Sequence, residues 1–499
     1  MEALDWLVIG VFFLALIGII VWVVRQKQND SADYFLGGRD ATWLAIGASI
    51  FASNIGSEHL IGLAGAGASS GMAMAHWEIQ GWMILILGWV FVPFYTRSMV
   101  YTMPEFLERR YNPQSRTILS VISLVSYVLT KVAVTVYAGG LVFQQVFGIK
   151  ELWGIDFFWI AAIGLVVLTA LYTIFGGMKS VLYTSVLQTP ILLLGSLIIL
   201  VLGFKELGGW DEMMRVCGAV TVNDYGDTMT NLIRSNDDAN FPWLGALIGS
   251  AIIGFWYWCT DQFIVQRVLS GKNEMEARRG TIFGAYLKLL PVFLFLIPGM
   301  IAFALHQKYI GAGGEGFLPM LANGTANADA AFPTLVAKLL PAGVKGLVVC
   351  GILAALMSSL ASLFNSSAML FTIDFYKRFK PETPEKKLVG IGQIATVVIV
   401  ILGILWIPIM RSVGDVLYTY LQDVQSVLAP GIAAAFLLGI CWKRTSAKGG
   451  MWGLIAGMII GLTRLGAKVY YSNAAVTDSS MFKYLFYDLN WLFFCGWMF

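Results

Sequence analysis

The chain has 499 residues, of which 58% are hydrophobic and only 13% charged, and its mean hydropathy is +0.74. That leaves too little polar surface to coat a soluble globule, so the bilayer must be the solvent. The net charge of +3 comes mainly from basic connections between apolar runs and argues for no nucleic-acid partner.

Apolar runs long enough to cross about 30 Å of hydrocarbon, roughly 20 residues each, recur at 4–24, 43–68, 73–97, 115–147, 154–174, 181–203, 241–268, 280–305, 334–372, 388–410, 415–441, 449–468 and 482–499. These thirteen spans are expected to be helices, because inside lipid every backbone amide needs an internal partner. Glu2 and Asp5 precede or open the first span and Arg25 follows it, a layout opposite to that of a secretory signal. It reads as a retained helix. Of the 33 Lys and Arg, 20 fall in connections on one side, among them Arg25, Lys27, Arg109, Arg110, Arg267, Arg278, Lys377 and Lys448. Cytoplasmic loops carry such an excess, which predicts an outside N-terminus in a multi-pass protein of the plasma or bacterial inner membrane. Only Cys217 lies in an outer loop, so no disulfide framework is expected.

Two spans carry breaks. Ala52-Ser53-Asn54-Ile55-Gly56-Ser57-Glu58-His59 places small and polar residues at mid-depth in the second span, and Gly254 to Asp261 does so in the seventh. An unwound helix there exposes carbonyls and two half-helix ends, the usual construction of a midplane transport site. The breaks are five spans apart, the spacing that two five-helix repeats of inverted topology require.

Ionisable groups in mid-span are costly and usually functional. Here they are Glu58, His59, Glu78, Lys131, Asp261 and Lys288, with Gln422 and Asp423 in the eleventh span. Acids, lysines and amides around one cavity suit a polyhydroxylated neutral solute, whose hydroxyls both donate and accept. Trp256, Tyr257 and Trp258 beside the second break offer aromatic faces for the C–H surface of a sugar ring. His59 has no nucleophile with an orienting acid, so catalysis is not expected. In the ninth span Ser358 and Ser359 offer neutral oxygens of the kind a hard cation takes.

Together these residues resemble the sodium/solute symporter family, in its sodium–glucose/galactose cotransporter branch. The likeness runs from about residue 33 to 452. It is carried by YTIFGGMKS (172–180), FASNIGSEHLIGLAGAG (51–67), WYWCTDQFIVQR (256–267), YLKLLP (286–291), SSLASLFNSSAMLFTIDFYK (358–377) and FLLGICWKR (436–444). The resemblance implies an all-α polytopic membrane protein. One helix (1–30) would precede a ten-helix core of two inverted five-helix repeats (40–205 and 240–445) whose first and sixth helices are broken, with about two helices (446–499) appended. Na+ would be the coupling ion, held by carbonyls of Ala52, Ile55 and Ala355 and hydroxyls of Ser358 and Ser359. The sugar would meet Asn54, His59, Glu78, Lys288 and Gln422, with Tyr257 stacking, Trp256 beside it and Lys131 near the rim. Leu63, Trp77 and Tyr418 would form the outer gate and Tyr257 the inner one. Neither an organic cofactor nor a protein partner is expected.

Within that branch His59 points toward glucose or a near relative, since bacterial galactose-type members can carry Gln there. Ser185, where many members have Asp, and Ala361, which lacks a hydroxyl, imply one sodium per sugar. The rival readings are a polyol such as myo-inositol, a carboxylate, which is disfavoured because no Arg lies in mid-span, and a sugar sensor that does not transport.

Overall fold

The computed structural model describes residues 1–499 apart from Lys27, Asn29, Ser57, Ala322, Asn323, 414–416 and 474–479, and apart from the side chains of Glu58, Leu129, Ala138, Gln145, 409–413, 417–423 and 472–473. Among the described residues the chain is nearly all helix; its one sheet is a two-stranded hairpin pairing Glu151–Leu152 with Ile155–Asp156. Ten segments among the described residues are long and apolar enough to cross a membrane. Thirteen were expected, and the difference has three physical causes. The fifth and sixth spans are both present but run together as the helical stretch Phe157–Leu207, in which two helices meet at a kink at Gly177. The second span is cut at its break, leaving Trp43–Asn54 as a short apolar helix and fusing the remainder with the third in His59–Ser98. The expected thirteenth span is not one helix but Met481–Lys483, Tyr484–Asp488 and Trp491–Met498.

Both breaks fall where small and polar residues interrupt the apolar pattern. Ile55 is extended (φ −80°, ψ 90°) after Trp43–Asn54. Asp261 is extended (φ −75°, ψ 129°) after Trp243–Gly254 and Phe255–Thr260, and its carboxylate then caps Gln262–Leu269. The resulting architecture is a ten-helix core of two inverted five-helix halves, each led by a broken helix. The eighth core helix runs through its middle, with 89% of the most apolar stretch of Val344–Phe379 buried, against 22% for Ala3–Val24 at the periphery. Asp5 ties that outer helix down, accepting from the amides of Gly343 and Gly346 at 2.8 Å each.

Helices approach closely through small residues, as expected where lipid gives no hydrophobic drive for association. A Cβ on Gly299 would lie 1.9 Å from the Ala64 carbonyl oxygen, and one on Gly67 2.3 Å from that of Leu296. The long helix turns at Gly177 (φ 54°, ψ −150°), where a side chain would meet the Tyr34 carbonyl oxygen at 2.4 Å. Gly177→Ala should therefore cost more than about 2 kcal/mol and lower the thermal unfolding midpoint in detergent. Gly10→Ala, with nothing within 4 Å of the new methyl, should leave the midpoint unchanged.

Candidate functional site

The first break is a change of hydrogen-bond partners. In an unbroken helix the Gly56 amide would bond the Ala52 carbonyl and the His59 amide that of Ile55. Instead Gly56 N donates to Asn54 O at 3.0 Å, and His59 N donates to Gly56 O at 3.1 Å. The carbonyls of Ala52 and Ile55 thereby lose their usual donors. The eighth core helix faces them: Ser359 Oγ donates to Ser53 O at 2.7 Å, and Ser358 Oγ lies 3.4 Å from Ser53 Oγ. Ser358, Ser359 and Ala355 are all buried. Ser358 and Ser359 thus meet the first core helix in a seam at Ser53, between Ala52 and Ile55 in the chain.

Above the seam a small cavity is lined by Asn54, His59, Trp77, Glu78, Gln80, Ile253, Tyr257, Trp258, Lys288 and Gln425. It has about 50 Å³ of free space, room for a few waters at roughly 10–15 Å³ each. Lys288 Nζ is 2.7 Å from Glu78 Oε2 and 2.7 Å from His59 Nε2, and His59 Nε2 is 3.2 Å from Glu78 Oε1. Asn54 Nδ2 donates to Tyr257 Oη at 2.9 Å. Asn54 Oδ1, His59 Nδ1 and Gln80 Oε1 are buried with no hydrogen-bond partner among the described residues, a costly condition that a polar ligand relieves.

Lys131 and Trp256 stand beside the cavity-lining Tyr257, outside the set of residues that line the cavity itself. Lys131 Nζ bonds Asp261 Oδ2 at 2.6 Å inside a box of aromatic rings, 4.6 Å from the Tyr257 centroid and 5.6 Å from that of Trp256. Tyr127 Oη also donates to Asp261 Oδ1. The pair braces the third core helix against the second break, beneath Tyr257. Leu63 is fully buried. Trp77 lines both this cavity and a neighbouring pocket and stacks on Trp491 with centroids 5.1 Å apart and planes 8° from parallel. Tyr418 and Gln422 lie outside the described side chains.

Sequence reading passed over Gln80, Gln425 and Trp491. Gln80 is a mid-span polar residue two positions after Glu78, and both reach one cavity because the helix His76–Ile79 ends in a turn there. Gln425 is one helical turn beyond Gln422, on the same face. Nothing in the sequence marks Trp491, whose role depends on tertiary packing. Arg267, counted among the basic inner connections, is instead 1% exposed.

An inverted-repeat core with its polar groups gathered at two helix breaks defines an ion-coupled secondary transporter. Residues 34–457 match the sodium:solute symporter family, and the chain belongs to that family. It is a sodium-coupled symporter of a small molecule, set in a membrane, and not an enzyme. It is 36% identical to human sodium/myo-inositol cotransporter 2 over 508 residues, covering 99% of this chain and 74% of the relative. It is 38% identical to rat sodium/glucose cotransporter 2 over 512 residues, covering 98% and 75%. A solved Na+-coupled sialic acid symporter, substrate-bound and outward-open, matches 99% of this chain and 95% of its own with TM-score 0.77 at 22% identity, a likeness of fold.

Removing one member of a buried ion pair strands the other, at a cost of about 3–5 kcal/mol. Glu78→Gln and Lys288→Met should each lower the thermal unfolding midpoint markedly. The double variant should fall by clearly less than the sum, and an additive fall in the unfolding curves would show that the two do not act as a pair.

Proposed function

We propose that this symporter imports a neutral hexose, one Na+ per sugar, by alternating access. The observation that carries this reading is the cavity itself: Glu78 and Lys288 neutralise each other, while Asn54 Oδ1, His59 Nδ1 and Gln80 Oε1 remain unpartnered beside the Tyr257 ring. A lining that balances its charges and offers several unsatisfied polar atoms and an aromatic face suits hydroxyls on an apolar ring. At this size the sugar must open the cavity and exchange its hydroxyls for the Lys288–His59 contact.

Sodium would take the carbonyls of Ala52, Ile55 and Ala355 and the hydroxyls of Ser358 and Ser359. Bound there it bridges the broken first core helix to the eighth and orders Asn54 and His59, which favours sugar binding; the coupling is reciprocal. The halves 40–205 and 240–445 then rock about the site, and the membrane potential adds about 2.3 kcal/mol per charge per 100 mV. The N-terminus is placed outside, in the cell membrane, on the basic-loop asymmetry. A second reading, a cyclitol such as myo-inositol, is favoured by the likeness to the human myo-inositol cotransporter.

Uptake into proteoliposomes separates these. An inward sodium gradient should drive labelled glucose or galactose with a charge-to-sugar ratio of one; preferential uptake of myo-inositol selects the cyclitol reading, and sugar binding without flux indicates a sensor. Ser359→Ala should raise the half-saturating sodium concentration by about tenfold, the loss of about 1.4 kcal/mol expected for one ligand. An unchanged sodium curve in that variant refutes the ligand assignment. Tyr257→Ala should raise the half-saturating sugar concentration more than that of sodium, measured in the same assay.

A further inference from the structure

After its break the sixth core helix resumes as Gln262–Leu269, and its last turn turns a cation inward. Arg267 is 1% exposed. Its Nε–H donates to Ser49 Oγ and Ser53 Oγ, both at 3.1 Å, one helical turn apart on the first core helix. Ser53 Oγ lies 2.8 Å from Ser362 Oγ and 3.4 Å from Ser358 Oγ. Ser185 Oγ lies 3.3 Å from Ser358 Oγ and 3.4 Å from Ser49 Oγ. Five hydroxyls from three helices thus form one connected cage, and the guanidinium is bonded into it.

The other buried cations of the transport core have acids. Lys288 pairs with Glu78, Lys131 with Asp261, and Arg116 with Asp374. Arg267 has no carboxylate within 4.0 Å among the described residues; it bonds hydroxyls, stands 4.8 Å from the Phe263 ring centroid, and feels the Asp261 charge, which Lys131 already pairs, only from farther off. A buried charge compensated this weakly is expensive, and an apolar side chain would fill the space at less cost. The cage is moreover a set of neutral oxygens of the kind a hard cation takes, and it shares Ser358 with the proposed sodium ligands.

We infer that the Arg267 guanidinium is a resident, untransported cation that fills the serine cage beside the sodium seam, excluding a second ion and setting the affinity for the first. Resting on the sodium reading of Ser358 and Ser359, the inference makes Arg267 a positioning residue that acts on sodium through Ser53 and Ser358. A fixed positive charge one hydroxyl away repels the transported ion, and the oxygens it holds are unavailable to another.

The test is sodium-dependent sugar uptake with charge measurement in proteoliposomes. Arg267→Gln should lower the half-saturating sodium concentration by about tenfold, since two like charges this close interact by more than 1 kcal/mol even at an effective dielectric of 20. Arg267→Lys should restore the wild-type curve. Arg267→Gln with Ser185→Asp, which leaves the cage an acid and no resident cation, should bind a second sodium and move the charge-to-sugar ratio from one toward two. An unchanged sodium curve in Arg267→Gln overturns the inference, as does an equal shift in Arg267→Gln and Arg267→Lys. Should Arg267→Gln not fold, Ser185→Asp alone decides: partnering the guanidinium should lower the half-saturating sodium concentration, and no change or a rise overturns the inference. If wild-type uptake shows no sodium saturation, the sodium reading itself falls and the inference with it; intact wild-type coupling with unresponsive variants rejects the inference alone.

Discussion

Between Ala52 and His59 the backbone of the first core helix abandons its regular ladder in the middle of the bundle. Gly56 N turns to Asn54 O and His59 N to Gly56 O. In hydrocarbon each carbonyl so released costs several kcal/mol unless something meets it. The nearby carbonyl of Ser53 is met by Ser359 Oγ from the eighth core helix, which must therefore lie against the break along its whole middle. That requirement makes this helix the most buried membrane-length segment described. It also explains its small residues: Gly351 stands against Leu192, and a Cβ there would be 3.2 Å from the Leu192 Cα. Tyr172 Oη fixes the register from the other side by donating to Met357 O at 2.9 Å.

The same logic governs the charges. Three acid–base pairs hold distant helices together at three levels of the core: Lys288–Glu78 at the cavity, Lys131–Asp261 beneath the second break, and Arg116–Asp374 at the end of the eighth core helix, where Thr102 and Ser120 also donate to the acid. Such pairs specify which helices meet more than they stabilise the meeting, because desolvation offsets most of the Coulombic gain. Pairs made and broken as helices move are also natural markers of conformational state. Arg267 stands apart as a buried charge with no acid in contact among the described residues.

What the sequence made legible was whatever violates hydrophobicity locally. The membrane class, both breaks, the Ser358–Ser359 pair and the polar residues Asn54, His59, Glu78 and Lys288 each stand out against apolar neighbours, and the structure gathers them at one seam and one cavity. Direction was not legible. Lys131 is four residues from Thr135 and near the sugar side by position, yet its long side chain swings to Asp261, 130 residues away, because an unpaired acid at that depth is costlier than a longer reach. Arg267 reads as a loop cation because it ends an apolar run and is followed by Lys272 and Arg278; only the bend at Asp261 carries it inward. The fifth and sixth spans were legible as two because each apolar run beside Gly177 is long enough to cross, and the backbone breaks between them.

The two ligand sites share one stretch of chain. Ile55, a proposed sodium ligand through its carbonyl, is four residues from His59, whose amide belongs to the break and whose ring belongs to the cavity. Asn54 lies between Ala52 and Ile55, whose carbonyls are proposed sodium ligands, and reaches Tyr257 across the bundle at 2.9 Å. A segment this short cannot present its carbonyls to an ion without also fixing where these side chains point. On the proposed reading ion and solute need no relay between them, since each would fix a segment that the other also meets, which is sufficient for positive coupling. Tyr257 and Trp77 both line the cavity, and Asn54 bonds Tyr257 directly. On that reading, fixing the break would also fix Tyr257 through Asn54, and coupling and alternation would become one event.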